Sequence, residues 1–126
     1  MPHKILIIED EETLRESLKR VLLKEGYEVK AVDSTEEALP IIAEKGCDLV
    51  ITDVILPGKS GMECLETCRT KNPDLIVIVM TAYATIESAV AAIRAGAYEY
   101  IIKPIDHEEF KDLIRRALDG KTGSGR

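Results

Sequence analysis

Five short apolar segments alternate with segments of helical period along this chain, and that alternation limits the folds open to it. The first, third and fourth segments are nearly continuous aliphatic runs, typical of strands in a parallel sheet covered by helices on both faces. The second alternates more, which suits an edge strand. Repeated strand–helix units imply right-handed crossovers, so we predict the α/β class with a doubly wound, five-stranded parallel sheet. The predicted strands are Lys4–Ile8, Glu28–Val32, Leu49–Thr52, Leu75–Met80 and Tyr100–Ile102.

Apolar residues recur at helical spacing between the strands, which predicts amphipathic helices with an apolar face toward the core. The spacing Ser34–Glu37, Ser60–Glu63 and Asp106–Glu109 is that of a capping box and predicts three helix starts. The three stripes are Leu14, Leu18, Val21 and Leu22; Ile86, Ala89, Val90 and Ile93; and Phe110, Leu113, Ile114, Ala117 and Leu118.

Glycine and proline mark where these helices end or bend. Gly26, Gly46 and Gly96 stand where helix ends are expected, which suits residues in the left-handed conformation. Pro40 lies inside the second predicted helix, where it removes a backbone hydrogen bond, so we expect that helix to be kinked or to start late.

Composition restricts the class of protein further. A chain of 126 residues has room for one domain, and we assign residues 1–120 to it and residues 121–126 to a tail or linker. The net charge of −6 argues against nucleic-acid binding. The sequence has neither a membrane-spanning apolar run nor a secretory pattern, so we expect a cytoplasmic protein. Cys47, Cys64 and Cys68 are expected to be buried as small hydrophobes.

Polar side chains follow four of the predicted strands. Glu9 and Asp10 follow the first, Asp53 the third, Thr81 the fourth and Lys103 the fifth. Ligands of open parallel sheets bind beyond the carboxyl ends of the strands, so these side chains are expected to meet in one pocket. Carboxylate ligands without histidine or cysteine suit a hard cation such as Mg²⁺.

A carboxylate beside such an ion is a competent nucleophile for phosphorus, and aspartyl phosphates are known covalent intermediates. Lys103 can then neutralise charge on a phosphoryl group, and Thr81 can donate a hydroxyl hydrogen bond. Each residue also has a plain structural interpretation. Glu11 and Glu12 suit the start of the next helix, and a lone Asp at a strand end is usually a cap or turn residue. Thr81 suits a simple strand end, and Lys103 before Pro104 suits a solvated charge in a loop. The combination of these residues at one sheet edge favours a phosphoryl-transfer site over separate structural roles.

These motifs resemble the receiver domain of two-component response regulators, from about Lys4 to Leu118. The matching segments are Ile8–Asp10, Thr52–Gly58, Met80–Ala82 and Tyr100–Pro104. The resemblance implies a CheY-like sheet of order 2-1-3-4-5 and a cis peptide bond between Lys103 and Pro104.

The resemblance also implies a role for each site residue. Asp53 would accept a phosphoryl group from a sensor histidine kinase. Asp10, Asp53 and the backbone carbonyl of Ile55 would bind Mg²⁺, with Glu9 contributing directly or through water. Thr81 and Lys103 would contact the phosphoryl group, and Thr81 and Tyr100 would form a switch.

That switch would act on the surface formed by the fourth helix, fifth strand and fifth helix, which is also a plausible homodimer contact. The segments Ala95–Tyr100 and Lys103–Asp106 resemble receivers of nitrogen-regulation-type transcription activators, in which output modules follow the receiver. The expected output is therefore transcription regulation through an output domain or effector outside this chain.

Three other functions remain open from the sequence. A phosphatase with an aspartyl intermediate usually has a second catalytic carboxylate two positions after the nucleophile, where this chain has Ile55. A flavin- or nucleotide-binding module needs a phosphate cradle after the first strand, where Glu9–Glu12 would repel an anion. A dimer platform that takes no phosphate is disfavoured by the complete set of acidic residues, Thr81 and Lys103.

Overall fold

The computed structural model describes residues 2–44, 46–53, 61–82 and 85–122, excluding the side chains of residues 61, 62, 121 and 122. The strands are β1 (Lys4–Ile8), β2 (Glu28–Val32), β3 (Leu49–Asp53), β4 (Ile76–Thr81) and β5 (Glu99–Ile102). The helices are α1 (Glu12–Lys24), α2 (Thr35–Ala43), α3 (Gly61–Lys71), α4 (Ile86–Arg94) and α5 (His107–Thr122). All strand pairs are parallel, in the order β2-β1-β3-β4-β5. The predicted fold class, strand order and edge position of β2 are confirmed.

The register of the sheet brings the carboxyl ends of the central strands to one level. Ile8 pairs with Thr52, Asp53 with Met80, and Thr81 with Ile102. The residues that directly follow β1 and β5 therefore lie at the same edge as the last residues of β3 and β4. This edge carries the candidate site.

The core lies in two layers, one on each face of the sheet. On one face, α1 and α5 bury the apolar stripes predicted for them, including Leu18, Leu22 and Ile114. On the other face, α2 and α3 cover the sheet with small and aliphatic residues, among which Cys64 and Cys68 are fully buried. The prediction that the cysteines are buried small hydrophobes is confirmed. Each large side chain buried in this way contributes about 1.5–3 kcal/mol of hydrophobic stabilisation.

Two of the three predicted helix caps are present in the structure. Ser34 Oγ accepts a hydrogen bond of 3.3 Å from the Glu37 amide. Asp106 Oδ1 accepts from the amides of Glu108 and Glu109 at 2.9 and 3.0 Å. The third predicted cap, Ser60, lies outside the described residues.

Of the two outcomes expected for Pro40, the late start of α2 is wrong, whereas the kink stays a prediction. The helix begins at Thr35, directly after the Ser34 cap, and Pro40 lies within it. The Ser34 cap satisfies donors of the first turn and therefore supports a start ahead of the proline.

Two of the three predicted glycine helix ends are confirmed. Gly26 and Gly96 have φ values of 94° and 107°, in the left-handed region. Gly46 does not adopt that conformation, so the prediction for it is wrong. Instead, its amide donates to the Ile41 carbonyl at 3.0 Å, and a Cβ at Gly46 would lie only 3.3 Å from that oxygen. Close approach to Ile41 therefore accounts for glycine at position 46.

The apolar stripe of α4 does not face the core, in contrast to the expectation. Ile86 is 85% exposed, and Val90 and Ile93 are 43% and 47% exposed, whereas Ala92 is fully buried. α4 thus packs on the sheet through small residues and presents its large ones outward. Among the described residues, no helix combines the length and apolar character needed to cross a membrane.

Candidate functional site

Three carboxylates meet where β1 and β3 end. Asp53 is the last residue of β3 and is 6% exposed, while Glu9 follows β1 and is fully buried. Asp10 is exposed beside them. One carboxylate oxygen from each of the three lies within 4.8 Å of the others. The structure thus brings together the three carboxylates that the sequence placed in one pocket, whereas Ile55, the fourth predicted metal ligand, lies outside the described residues.

Lys103 faces this cluster from the end of β5. Its ammonium nitrogen Nζ lies 2.5 Å from Asp53 Oδ2 and 2.9 Å from Glu9 Oε1. Burial acts to lower the pKa of Lys103, but the hydrogen bonds to Asp53 and Glu9 and the negative charges of these two residues together raise that pKa. The side chain therefore stays cationic at neutral pH. The predicted cis peptide bond between Lys103 and Pro104 is present.

Both carboxylate oxygens and the backbone carbonyl of Glu9 accept hydrogen bonds. Oε1 accepts from Lys103, and Oε2 accepts a hydrogen bond of 2.9 Å from the Glu11 amide. Burial raises the pKa of Glu9, and the bond to Lys103 offsets this only in part. The backbone carbonyl of Glu9 accepts from Arg15 Nη1 at 3.0 Å. The sequence analysis did not single out Arg15, because nothing in its spacing separates it from an ordinary charge on an amphipathic helix.

Thr81 and Tyr100 occupy neighbouring strands near this edge. Thr81 ends β4, is almost fully buried, and its carbonyl accepts from the Lys103 amide at 2.8 Å. Tyr100 lies in β5, and its hydroxyl is 2.7 Å from Ser88 Oγ in α4. Ser88 also forms a capping box with Thr85 at the start of α4. The sequence pointed to Tyr100 but not to Ser88, because a contact of this kind depends on how α4 lies against β5.

The remaining acidic residues near this edge play smaller parts. Glu11 occupies the N-cap position of α1 without a side-chain cap bond, and Glu12 lies in the first turn, where its charge favours the helix dipole. Asp33, which follows β2 at the edge of the sheet, lies outside the carboxylate cluster and shares a hydrogen bond with the Glu37 carboxyl, which raises the pKa of Glu37.

The donor set of the cluster fits a hard divalent cation. Three carboxylates so close together repel one another unless protons or cations intervene, and Lys103 supplies one positive charge for the three. All the donor atoms are oxygens, the ligands that Mg²⁺ prefers. Glu9, Asp10 and Asp53 are therefore the residues that could hold such an ion.

The sequence model of the response regulator receiver domain family matches residues 5–115. Response regulator protein FleR of Pseudomonas aeruginosa is 45% identical over 125 residues, a match that covers 98% of this chain and 26% of FleR. This chain thus spans about a quarter of FleR's length.

Solved structures agree with this match. A CheY-like receiver domain from Methanospirillum hungatei shares 33% identity and a TM-score of 0.94, with 99% of this chain and 100% of that chain covered. The beryllofluoride-activated NtrC4 receiver domain, solved in solution as a dimer, shares 32% identity and a TM-score of 0.89 over 94% of this chain and 98% of that one. With the carboxylate cluster, Lys103 and Thr81 at one edge of a 2-1-3-4-5 sheet, the chain belongs to the response regulator receiver domain family.

Proposed function

We propose that Asp53 is the phosphoacceptor of this receiver domain and that the donor is a phosphohistidine on a sensor histidine kinase. The observation that supports this most directly is the placement of the Asp53 carboxylate, 2.5 Å from the Lys103 ammonium and within the cluster formed with Glu9 and Asp10. In the reaction, a carboxylate oxygen of Asp53 forms a bond to phosphorus. The bond from phosphorus to the histidine nitrogen breaks, and the imidazole leaves.

The other residues of the site orient and stabilise this transfer. Glu9, Asp10, Asp53 and the Ile55 carbonyl are the proposed ligands of Mg²⁺, which when bound neutralises charge on the phosphoryl oxygens. Lys103 pairs with the phosphoryl group after releasing part of its contact with Asp53. The Thr81 hydroxyl donates a hydrogen bond to a phosphoryl oxygen. The chain catalyses its own phosphorylation and slow dephosphorylation, and acts otherwise as a switch.

The signal leaves through α4, β5 and α5. Thr81 moves toward the phosphoryl group, Tyr100 moves inward, and the equilibrium of the α4–β5–α5 surface shifts. Tyr100 is bonded to α4 through Ser88, so a movement of its ring alters a contact of that helix. Residues 1–120 form the receiver unit in this proposal, and residues 121–126, into which α5 continues as far as Thr122, form a tail or linker. The expected setting is the cytoplasm and the expected output is transcription regulation, which is supported by 35% identity over 118 residues to the DNA-binding transcriptional regulator NtrC of Azospirillum brasilense.

The test of the acceptor is mass spectrometry after treatment with acetyl phosphate and Mg²⁺. The wild-type protein is expected to gain one phosphoryl group, and Asp53→Asn to gain none, because an amide is not a nucleophile for phosphorus. Asp33→Asn is the matched control, since Asp33 also follows a strand but lies outside the carboxylate cluster. Chelation of the metal should suppress labelling. Full labelling of Asp53→Asn would show that the acceptor is another residue, and sustained turnover of a generic phosphate ester would favour a phosphatase.

A homodimer through the α4–β5–α5 surface is the proposed partner contact. Its support is the outward apolar stripe of Ile86, Val90 and Ile93, joined on β5 by Ile102, which is 57% exposed. The related NtrC4 receiver is a dimer in its beryllofluoride-activated form. Val90→Asp is expected to abolish association of the beryllofluoride-treated protein in sedimentation velocity. Leu23→Asp, at a comparably exposed position on α1, should leave association unchanged.

A further inference from the structure

The turn between β1 and α1 carries two of the three clustered carboxylates on only three residues, Glu9 to Glu11. Hydrogen bonds fix the turn at the sheet edge: the Glu9 amide donates to the Val32 carbonyl at 3.0 Å, the Glu11 amide donates to Glu9 Oε2 at 2.9 Å, and Lys103 Nζ donates to Glu9 Oε1 at 2.9 Å. Glu11 makes no side-chain cap bond to the first turn of α1. The junction between the turn and the helix therefore lacks a side-chain cap.

Arg15 joins the helix to the turn twice: its backbone amide donates to the Glu11 carbonyl at 2.9 Å, and its side chain also contacts the turn. Its Nη1 donates to the Glu9 carbonyl at 3.0 Å, and its side chain is 17% exposed. Its charge also faces two acidic side chains, because Nε lies 3.9 Å from Glu16 Oε2 and the guanidinium attracts the Glu37 carboxylate. These contacts hold the guanidinium over the turn, and a charged donor makes a stronger hydrogen bond to a carbonyl than a neutral one does.

We propose that Arg15 is a positioning residue for the divalent-cation site, which it serves by fixing the Glu9 carbonyl and thereby the directions of the Glu9 and Asp10 carboxylates. The inference rests on the proposed Mg²⁺ site. Arg15 does not contact the cation, and it contributes through the backbone of a ligand. Partners that orient metal ligands in this way typically change metal affinity by about 10-fold or more when removed.

A role of Arg15 through its charge and a role through positioning of the turn predict opposite changes in Mg²⁺ affinity when Arg15 is replaced. If the guanidinium acted only through its charge, removing a cation next to three carboxylates would strengthen the binding of another cation. If it acts by holding the turn, removing it weakens binding even though the local charge becomes more negative. The direction of the change in affinity therefore separates the two explanations.

The experiment is isothermal titration calorimetry of Mg²⁺ into the wild-type protein, Arg15→Gln, Arg15→Lys and the control Arg20→Gln, which removes the same charge from an exposed position of α1. Arg15→Gln is expected to bind Mg²⁺ about 10-fold more weakly. Arg20→Gln should bind as the wild type does or slightly more tightly. Arg15→Lys keeps the charge but not the planar, two-armed donor, so we expect an intermediate affinity.

A second measurement separates positioning of the metal site from damage to the acceptor. At saturating Mg²⁺, the rate of labelling of Arg15→Gln by acetyl phosphate should return to within about 2-fold of the wild-type rate, because the substitution lowers the affinity for Mg²⁺ and not the reactivity of the acceptor. Equal or tighter Mg²⁺ binding by Arg15→Gln would overturn the inference. Absence of Mg²⁺ binding in the wild-type protein would instead refute the proposed site. If Arg15→Gln fails to fold, Arg15→Lys decides the question by its affinity alone.

Discussion

Helices α4 and α5 carry similar apolar stripes, and the structure uses them in opposite ways. α5 buries its stripe in the core, with Phe110, Ile114 and Leu118 each at most 1% exposed. α4 directs Ile86, Val90 and Ile93 away from the core and buries Ala92 instead. Helical spacing therefore identifies an apolar face, but it does not tell whether the same chain covers that face.

The two helices consequently depend on different contacts. α5 is held along its length by the core between it and the sheet. Apart from small residues such as Ala92 that pack on the sheet, α4 is held near its ends, by the Thr85–Ser88 capping box with Tyr100 at its start and by Gly96, which lies close to Arg69, just past its end. A helix fixed at its ends can shift at smaller cost in buried area than one fixed along a core face. This difference suits α4 to transmit a signal.

The largest expected effect comes from the same substitution made on each helix. Ile114→Ala in α5 removes a fully buried side chain and should lower the free energy of unfolding by about 2–5 kcal/mol. Ile86→Ala in α4, at a position that is 85% exposed, should change it by no more than about 0.5 kcal/mol. Urea unfolding of both variants measures the difference. Similar losses at the two positions would mean that α4 is covered in solution, for example by a second copy of the chain.

A second pair compares the end of α4 with the end of α1. Both Gly26 and Gly96 have positive φ, so alanine at either should cost about 1 kcal/mol from backbone strain. At Gly26 a new Cβ meets nothing within 4 Å, but at Gly96 it would lie 2.6 Å from Arg69 Cδ. Arg69 cannot simply move aside, because its guanidinium donates to the carbonyls of Pro73 and Leu75. We therefore expect Gly96→Ala to cost about 2 kcal/mol in total.

The measurement for this pair is again urea unfolding, with Arg69→Ala as the background that separates strain from contact. In that background the excess cost at Gly96 should disappear, and the two glycine positions should give equal losses. An excess that persists without the Arg69 side chain would mean that α4 is not held at this end by the contact with Arg69.

The contrast between the helices also shows which features of the fold and the site could be predicted from the sequence. The apolar runs of β1, β3 and β4 predicted the parallel sheet, since short, uniformly aliphatic runs are typical of strands buried on both faces. The convergence of Glu9, Asp53 and Lys103 followed because parallel strands end at one edge. Ser88, Arg15 and the outward stripe of α4 could not be anticipated, because each depends on how a helix is rotated and placed on the sheet. Gly46 was misjudged because close backbone approach and a left-handed helix end both favour glycine.

The smallest expected effect concerns the hydroxyl that joins Tyr100 to α4. Ser88 Oγ interacts with the Thr85 amide and carbonyl as well as with Tyr100, so Tyr100→Phe removes one hydrogen bond and leaves the capping box in place. A hydrogen bond of this kind contributes about 1 kcal/mol, which corresponds to about 5-fold faster amide exchange if α4 opens locally. Hydrogen exchange of the unphosphorylated protein should show that increase in α4 and no change in α5.

Tyr98→Phe is the matched control, since it removes a hydroxyl from a half-exposed tyrosine two residues earlier in the chain. Ser88→Ala should speed exchange in α4 at least as much as Tyr100→Phe, and adding Tyr100→Phe to it should have little further effect because the two side chains share one bond. Equal exchange in wild type and Tyr100→Phe, or additive effects in the double variant, would show that the start of α4 is held without Tyr100. The proposed switch from Thr81 to α4 would then have to act through packing of the Tyr100 ring and not through its hydroxyl.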